Sequence, residues 1–285
     1  MSLASNIGPA RGRRATALPL AVVLLLAFAL GGCGASGEAP VVIEHDPRGP
    51  LAFGVVPFLE REALERTLGP LMGYLSAGLD RPVRLKVARS YAELERLMTQ
   101  HRLDLGWFAP GTGGTVQDVV SLCIPAGPGP YRGLIVARNT TPPPTLASLA
   151  GKRFLYVDPN SRSGFLYPNR LLASRGIDPL RTFASIGYAG NHQRVIERIL
   201  SGDADAGAVS DTVLREPARA ALFGTKLAVV DRTDPIPQDP IVAAAALEPA
   251  LRDRVRALFL ELPARPGGAT VLAGLRTALG IEGFR

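Results

Sequence analysis

Phe154-Leu155-Tyr156-Val157-Asp158-Pro159-Asn160-Ser161-Arg162-Ser163-Gly164-Phe165-Leu166-Tyr167-Pro168 decides how this chain is read. Its first four residues are an apolar run and predict a buried strand. Leu166, Leu171, Leu172 and Ala173 fall on one face of a following helix. Between them stand Asp, Pro, Asn, two serines and a glycine, which are turn and N-cap residues. A strand running into a Ser-x-Ser-Gly helix start aims several unpartnered backbone N–H groups at one point, and two hydroxyls with them. That combination describes an anion site. Ser161 and Ser163 read equally well as plain N-caps on this evidence alone.

The strand and helix alternation continues on both sides. Upstream, Leu51–Val56 predicts a strand stopped by Pro57. Glu60–Leu79 carries a helical stripe of Leu64, Leu68, Leu71, Met72 and Leu75, with a kink expected at Gly69-Pro70. Val83–Val87 alternates as a strand. Ser90 with Glu93 forms a capping box before the apolar face of Leu94, Leu97 and Met98. Leu103–Phe108 is the next strand, ending in the Gly-rich 109–114 loop. Tyr131–Ala137 is another, and the break at Asn139–Pro144 is where the chain is expected to cross between lobes. Downstream, Phe183–Gly187, Ala204–Val209 and Leu227–Val230 predict strands. Val195, Ile196, Ile199 and Leu200 mark a helix, and Asp211 caps a short one. Asp234–Pro240 is a second hinge-like stretch. Ile241–Ala246 returns as a strand, and helices over 249–262 and 269–279 pack back on the first lobe.

The predicted class is therefore α/β, a two-lobed clamshell of mixed, mostly parallel sheets joined by two hinge crossings. Lobe 1 takes residues 51–137 and 239–285, and lobe 2 takes 138–238, carrying the anion-binding helix start. Ligands of such sheets sit at strand carboxyl ends and helix N-termini, here between the lobes.

The net charge is +7, and setting aside Arg11, Arg13 and Arg14 lowers it to +4. That excess suits a small anion. No cluster of Lys or Arg interleaved with aromatics points to nucleic acid. The two cysteines, Cys33 and Cys123, form no metal spacing and are not expected to pair, and no cofactor is expected. Cys123 reads as a small apolar packing residue. Trp107 and Phe108 read as core or cleft wall. Arg11-Gly12-Arg13-Arg14, the apolar Ala15–Leu30 and Leu30-Gly31-Gly32-Cys33 resemble a bacterial lipoprotein signal, which implies cleavage of residues 1–32 and lipid on Cys33; an ordinary signal peptide, or an uncleaved anchor with Cys33 incidental, is the other reading. Residues 33–50 are small, polar and proline-containing, and read as a flexible tether.

Several motifs, in this order and spacing, resemble one family. They are Phe53-Gly54-Val55-Val56-Pro57, Ser90-Tyr91, Asp104-Leu105-Gly106-Trp107-Phe108 and Pro130-Tyr131. They continue with the 157–164 turn with Pro168, Tyr188-Ala189-Gly190-Asn191-His192, Gly202-Asp203-Ala204-Asp205-Ala206-Gly207 and Ile236-Pro237-Gln238-Asp239-Pro240-Ile241. The chain is similar here to the substrate-binding components of ABC transporters for phosphate, phosphite and phosphonates, from about Leu51 to Leu262. The resemblance implies a periplasmic-binding-protein-like clamshell. It implies a grip on the anion by Ser161, Ser163 and the N–H groups of Arg162, Ser163 and Gly164, helped by a helix dipole worth about 0.3–1 kcal/mol. It further implies hydroxyls from Tyr91 and Tyr131, a donor from His192, and a carboxylate, Asp239, facing an amino group or protonated oxygen of the ligand. Two positions depart from the pattern. Arg162 stands where the family commonly has Thr. The glutamate that reads an ammonium in aminoalkylphosphonate binders falls near Thr212, where only Asp211 is close.

Other readings stand beside these. Tyr91 and Tyr131 read equally as half-buried packing residues, His192 as a helix-cap surface residue, and Asp239 as a hinge residue between prolines. The expected activity is non-enzymatic: an exported, lipid-anchored monomer binds a small oxyanion and hands it to an ABC permease. A clamshell sensor for a membrane signalling partner is the alternative. An enzyme acting on a phosphorylated molecule is a weaker one, since no Walker motif or Gly-x-Ser-x-Gly is present.

Overall fold

The computed structural model describes residues 49–109, 118–127 and 129–285. The expected signal segment, Cys33 and most of the tether lie outside the described residues, as does most of the 109–114 loop. In chain order, β1 (Leu51–Val55), α1 (Arg61–Leu79), β2 (Val83–Val87), α2 (Tyr91–Thr99), β3 (Leu105–Trp107), β4 (Val119–Cys123) and the short β5 (Pro125–Ala126) build the first part. Next come β6 (Gly133–Arg138), β7 (Arg153–Tyr156), α3 (Tyr167–Ser174), α4 (Pro179–Thr182), β8 (Ser185–Tyr188), α5 (His192–Ser201), β9 (Ala206–Ser210), α6 (Pro217–Ala220) and β10 (Leu227–Arg232). The chain closes with β11 (Ile241–Ala244), α7 (Pro249–Leu260), α8 (Gly268–Leu279) and β12 (Gly283–Phe284), which pairs antiparallel with β5.

Two five-stranded sheets result. The first runs in the order β2-β1-β3-β11-β4, with β1, β2 and β3 parallel and β11 antiparallel to both of its neighbours. The second runs β10-β6-β9-β7-β8, with β7, β8 and β9 parallel and β6 antiparallel to β9 and β10. The central strands of each sheet are covered on both faces, which is why β6, β9 and β11 read as continuous apolar runs, while an edge strand such as β2 alternates. In β7, Phe154 and Tyr156 join the cluster around Leu172 and Phe183, while Leu155 and Val157 face the cluster around Val195 and Ile199. This period of two assigns every β7 side chain to one layer. α7 and α8 do pack against α1 and the first sheet, through Leu258, Phe259, Leu272 and Leu275.

Three sequence expectations need correction. The sequence places Gly133–Arg138 in lobe 1, but it is a central strand of the second sheet. Its residues Leu134–Ala137 are at most 2% exposed and alternate between that sheet's two cores. The proline cluster at 142–144 comes after this strand and marks its end, so the chain crosses earlier, before Gly133. The second crossing runs beside it: Ile236 N–H donates to the Tyr131 carbonyl at 2.7 Å, and Arg132 Nη1 donates to the Thr233 carbonyl at 2.6 Å. The first crossing thus falls at a different place from the one the proline cluster suggests, while α1 continues as helix through Pro70, with Gly69 and Pro70 on its solvent face. The capping box at α2 is shifted: the Ser90 side chain accepts from Glu93 N–H, but the Glu93 carboxylate reaches back to Arg89 N–H rather than Ser90 N–H.

Candidate functional site

The turn after β7 is locally self-made. The Asp158 side chain accepts from Asn160 N–H at 2.9 Å, and its carbonyl accepts from Ser161 N–H at 2.9 Å. Ser161 Oγ then accepts from Gly164 N–H at 3.1 Å. Arg162–Leu166 form one turn of π-helix, in which Leu166 N–H donates five residues back to Ser161. Pro168 explains this widening. A regular helix would pair the Gly164 carbonyl with the N–H of residue 168, which proline lacks, and here that carbonyl accepts from Val157 N–H at 3.2 Å. The regular helix α3 begins only at Tyr167, with Pro168 in its first turn.

Gly164 differs from its expected role. Its N–H is engaged by Ser161, and the residue does not line the cavity. A Cβ there would stand 2.5 Å from the Val157 Cβ, so glycine is required for the turn to lie against the strand. From this turn Ser161, Arg162 and Ser163 line an interlobe cavity of about 120 Å³.

Other elements bring their ends to the same cavity. Tyr91, the first residue of α2, has its phenol hydrogen-bonded to the Ser161 side chain, and burial raises its pKa. Tyr131 comes from the first crossing rather than from the first sheet, and burial raises its pKa well above the usual value. His192 opens α5, capped by Asn191, and is 5% exposed. Its Nδ1 accepts from Ser210 N–H at 2.9 Å, which places the ring proton on Nε2. Burial lowers its pKa to about 4, so the ring is neutral and presents a single N–H donor.

Asp239 and Arg162 meet each other. Arg162 Nη1 donates to Asp239 Oδ1 at 2.9 Å and to the Pro237 carbonyl at 3.1 Å, and its guanidinium lies 5.7 Å from the Tyr167 ring centre. Their side chains are 15% and 29% exposed. Burial raises the Asp239 pKa against the opposing pull of Arg162. Arg162 stays charged: burial alone would lower its pKa, and Asp239, Tyr167 and Tyr131 together outweigh that.

Asp211 does not line the cavity, whereas its neighbours Ser210 and Thr212 do. Ser210 is the N-cap of the short 3₁₀ turn Asp211–Arg215, so Asp211 is not the cap either. Sequence reasoning missed Glu95, which is 7% exposed, lines the cavity and sits 3.5 Å from the Asn160 amide. Its signal was its place one helical turn after Tyr91, on the same face. It also missed Ser210, Asn160 and the wall at Val56, Phe58 and Ile281. Trp107 belongs to the cleft wall, donating Nε1–H to the Asp239 carbonyl at 3.1 Å. Cys123 is buried and packs in the first core, and burial pushes its thiol up to about 12.

The two lobes also touch outside the cavity. Glu60, at the start of α1, accepts from Asn191 Nδ2 at 2.8 Å and from Arg194 Nε at 3.1 Å. Arg215 occupies the space that a Cβ on Gly280 would need. Among the described residues, no group of three or more His, Cys, Asp or Glu side chains is arranged to hold a metal ion, and no helix is long and apolar enough to cross a membrane.

Residues 53–285 match the model of the family described as ABC transporter, phosphonate, periplasmic substrate-binding protein. The phosphate-import protein PhnD of Mycolicibacterium smegmatis is 27% identical over 269 residues, covering 88% of this chain and 83% of that protein. PhnD1 of Prochlorococcus marinus, solved in complex with methylphosphonate, superposes with a TM-score of 0.74 at 20% identity, over 84% of this chain and 93% of that one. A binding-protein component of an ABC phosphonate transporter from Pseudomonas aeruginosa gives 0.72 at 20% identity, over 84% and 81%. These structures share the two-lobed α/β fold.

Proposed function

Because this chain belongs to the periplasmic phosphonate-binding family of ABC transporter proteins, we propose that it captures a phosphate-, phosphite- or phosphonate-like oxyanion between its lobes. It then delivers the ion to a membrane permease. The observation that carries this reading is the convergence of the Ser161–Ser163 turn and the His192 Nε2–H donor on one interlobe cavity. Ser161, Ser163 and the N–H groups of Arg162 and Ser163 supply neutral donors to the phosphoryl oxygens. Tyr91 adds its hydroxyl from lobe 1, and Tyr131 adds one from the crossing. Charge-assisted hydrogen bonds of this kind replace the hydration that the ion loses when the cleft closes. Both lobes hold the ligand, so its binding energy favours the closed form, already braced by Glu60 against Asn191 and Arg194. No step makes or breaks a covalent bond in the ligand.

Export and membrane attachment follow the N-terminal sequence. Cleavage before Cys33 and acylation of that cysteine tether the clamshell at the outer face of a bacterial membrane, beside its permease, and residues 34–50 let it reach. Metabolic labelling with palmitate tests this: the parent incorporates label and Cys33→Ser does not. Calorimetry with phosphate, phosphite, methylphosphonate and sulfate tests the capture reading. Saturable binding of at least one phosphorus oxyanion, weakened by Ser163→Ala, is expected. Absence of binding to all of them refutes it.

A further inference from the structure

Two carboxylates line the cavity, which is an unusual choice for a site that takes an anion. Asp239 stands at the crossing beside Tyr131 and Arg162. Its charge is already met. Arg162 Nη1 holds Asp239 Oδ1 at 2.9 Å and is pinned by a second bond to the Pro237 carbonyl. Trp107 fixes the Asp239 backbone from the first sheet. The cavity wall after β9 offers hydroxyls, with Thr212 Oγ1 donating to Ser210 Oγ at 2.8 Å, and no acid. Glu95, the second carboxylate, faces the Asn160 amide from α2.

We propose that Arg162 determines specificity as a built-in counter-ion for Asp239, so that the cavity takes oxyanions bearing a neutral substituent and rejects those bearing an ammonium group. This rests on the anion site proposed above and names its ligand class. An ammonium brought toward Asp239 meets a guanidinium fixed on the same carboxylate. The guanidinium cancels most of the carboxylate's attraction, so the hydration that the ammonium loses in a partly desolvated cleft is not recovered, which disfavours it by about tenfold or more in affinity. A neutral alkyl group of the same length has no such hydration to lose.

The test is calorimetry with 2-aminoethylphosphonate and its neutral shape match, n-propylphosphonate, on the parent, Arg162→Thr and Arg162→Lys, with methylphosphonate as the reference anion. The parent is expected to prefer propylphosphonate by about tenfold or more. Arg162→Lys, which keeps the charge, retains that preference. Arg162→Thr frees Asp239 and erases or reverses it, an effect that a merely structural role of Arg162 would not produce. Equal or tighter binding of the ammonium compound by the parent overturns the proposal, and so does an unchanged ratio in a folded Arg162→Thr. If that variant does not fold, the parent and Arg162→Lys ratios decide. A parent that binds methylphosphonate but not propylphosphonate also overturns it, because size rather than charge then sets the limit. A parent that binds no phosphorus oxyanion refutes the site itself and this proposal with it, whereas normal methylphosphonate binding with the wrong ratio overturns this proposal alone.

Discussion

Replacing His192 with alanine removes two hydrogen-bonding roles at once, and the structure separates them. Nδ1 accepts from Ser210 N–H at 2.9 Å inside the fold, and the residue is 5% exposed. Truncation leaves that N–H buried without its acceptor, at a cost of about 1–3 kcal/mol to folding. Nε2–H is the donor assigned to the ligand, and a hydrogen bond to a charged oxygen contributes about 1.5–3 kcal/mol. At 1.4 kcal/mol per decade, that is a loss of about 10- to 150-fold in affinity. His192→Asn divides the two effects, since an asparagine side-chain oxygen reaches the Nδ1 position but nothing replaces Nε2. Thermal melting without ligand and calorimetry with methylphosphonate read the two losses. The expected result is a lower melting temperature for His192→Ala, a smaller drop for His192→Asn, and weak binding in both. Binding by both variants within about twofold of the parent would refute the donor role.

Three further outcomes rest on the same geometry. Burial holds the His192 pKa near 4 in the folded chain, against 6.5 for the free side chain. The unfolded chain therefore binds more protons between those values, and His192 costs stability as pH falls from about 6.5 to 4, by at most about 1.4 kcal/mol per unit. Imidazole carbon shifts should report a neutral Nε2–H ring at pH 5.5, and a titration midpoint near 6.5 would contradict the buried assignment. Gly164→Ala drives a methyl against Val157 and is expected to destabilise by about 1–3 kcal/mol and to weaken anion binding with it. A variant as stable as the parent would show that the turn is not held against β7. Glu60→Gln weakens an interlobe contact that touches no ligand, so affinity should fall about two- to fivefold, as suits a half-exposed pair, while small-angle scattering of the ligand-free protein shifts toward a more open form. Unchanged affinity and scattering would remove Glu60 from the closing mechanism.

Much of the fold is legible in the order of residues. The strand at Phe154–Val157, the alternation around it and the helix after Pro168 follow from periodicity and turn chemistry alone, because the central strands are buried on both faces and their side chains are apolar. The lobe boundary is misplaced in the sequence for a physical reason. Proline clusters mark where a strand ends, and Pro142–Pro144 come after a strand that belongs to the second sheet by its pairing with β9 and β10. Long-range pairing of that kind leaves no local trace. At the site, Ser161, Ser163, Tyr91, Tyr131 and His192 line one cavity, although they lie far apart in the sequence. Gly164 and Asp211 do not line it, and the Gly164 N–H is taken by Ser161 Oγ. The ion pair of Arg162 with Asp239 joins residues 77 positions apart, so neither residue alone announces it.

Trp107 is the chain's one tryptophan, and it lines the cleft while donating to the hinge at Asp239. A fluorescence titration with methylphosphonate therefore tests the central claim directly, reading ligand and lobe closure at the place where both are assigned. A saturable change in emission is predicted, shifted to about tenfold higher concentration or more in Ser163→Ala. A flat emission up to millimolar ligand, with no heat of binding at the same concentrations, would contradict an oxyanion site between these lobes.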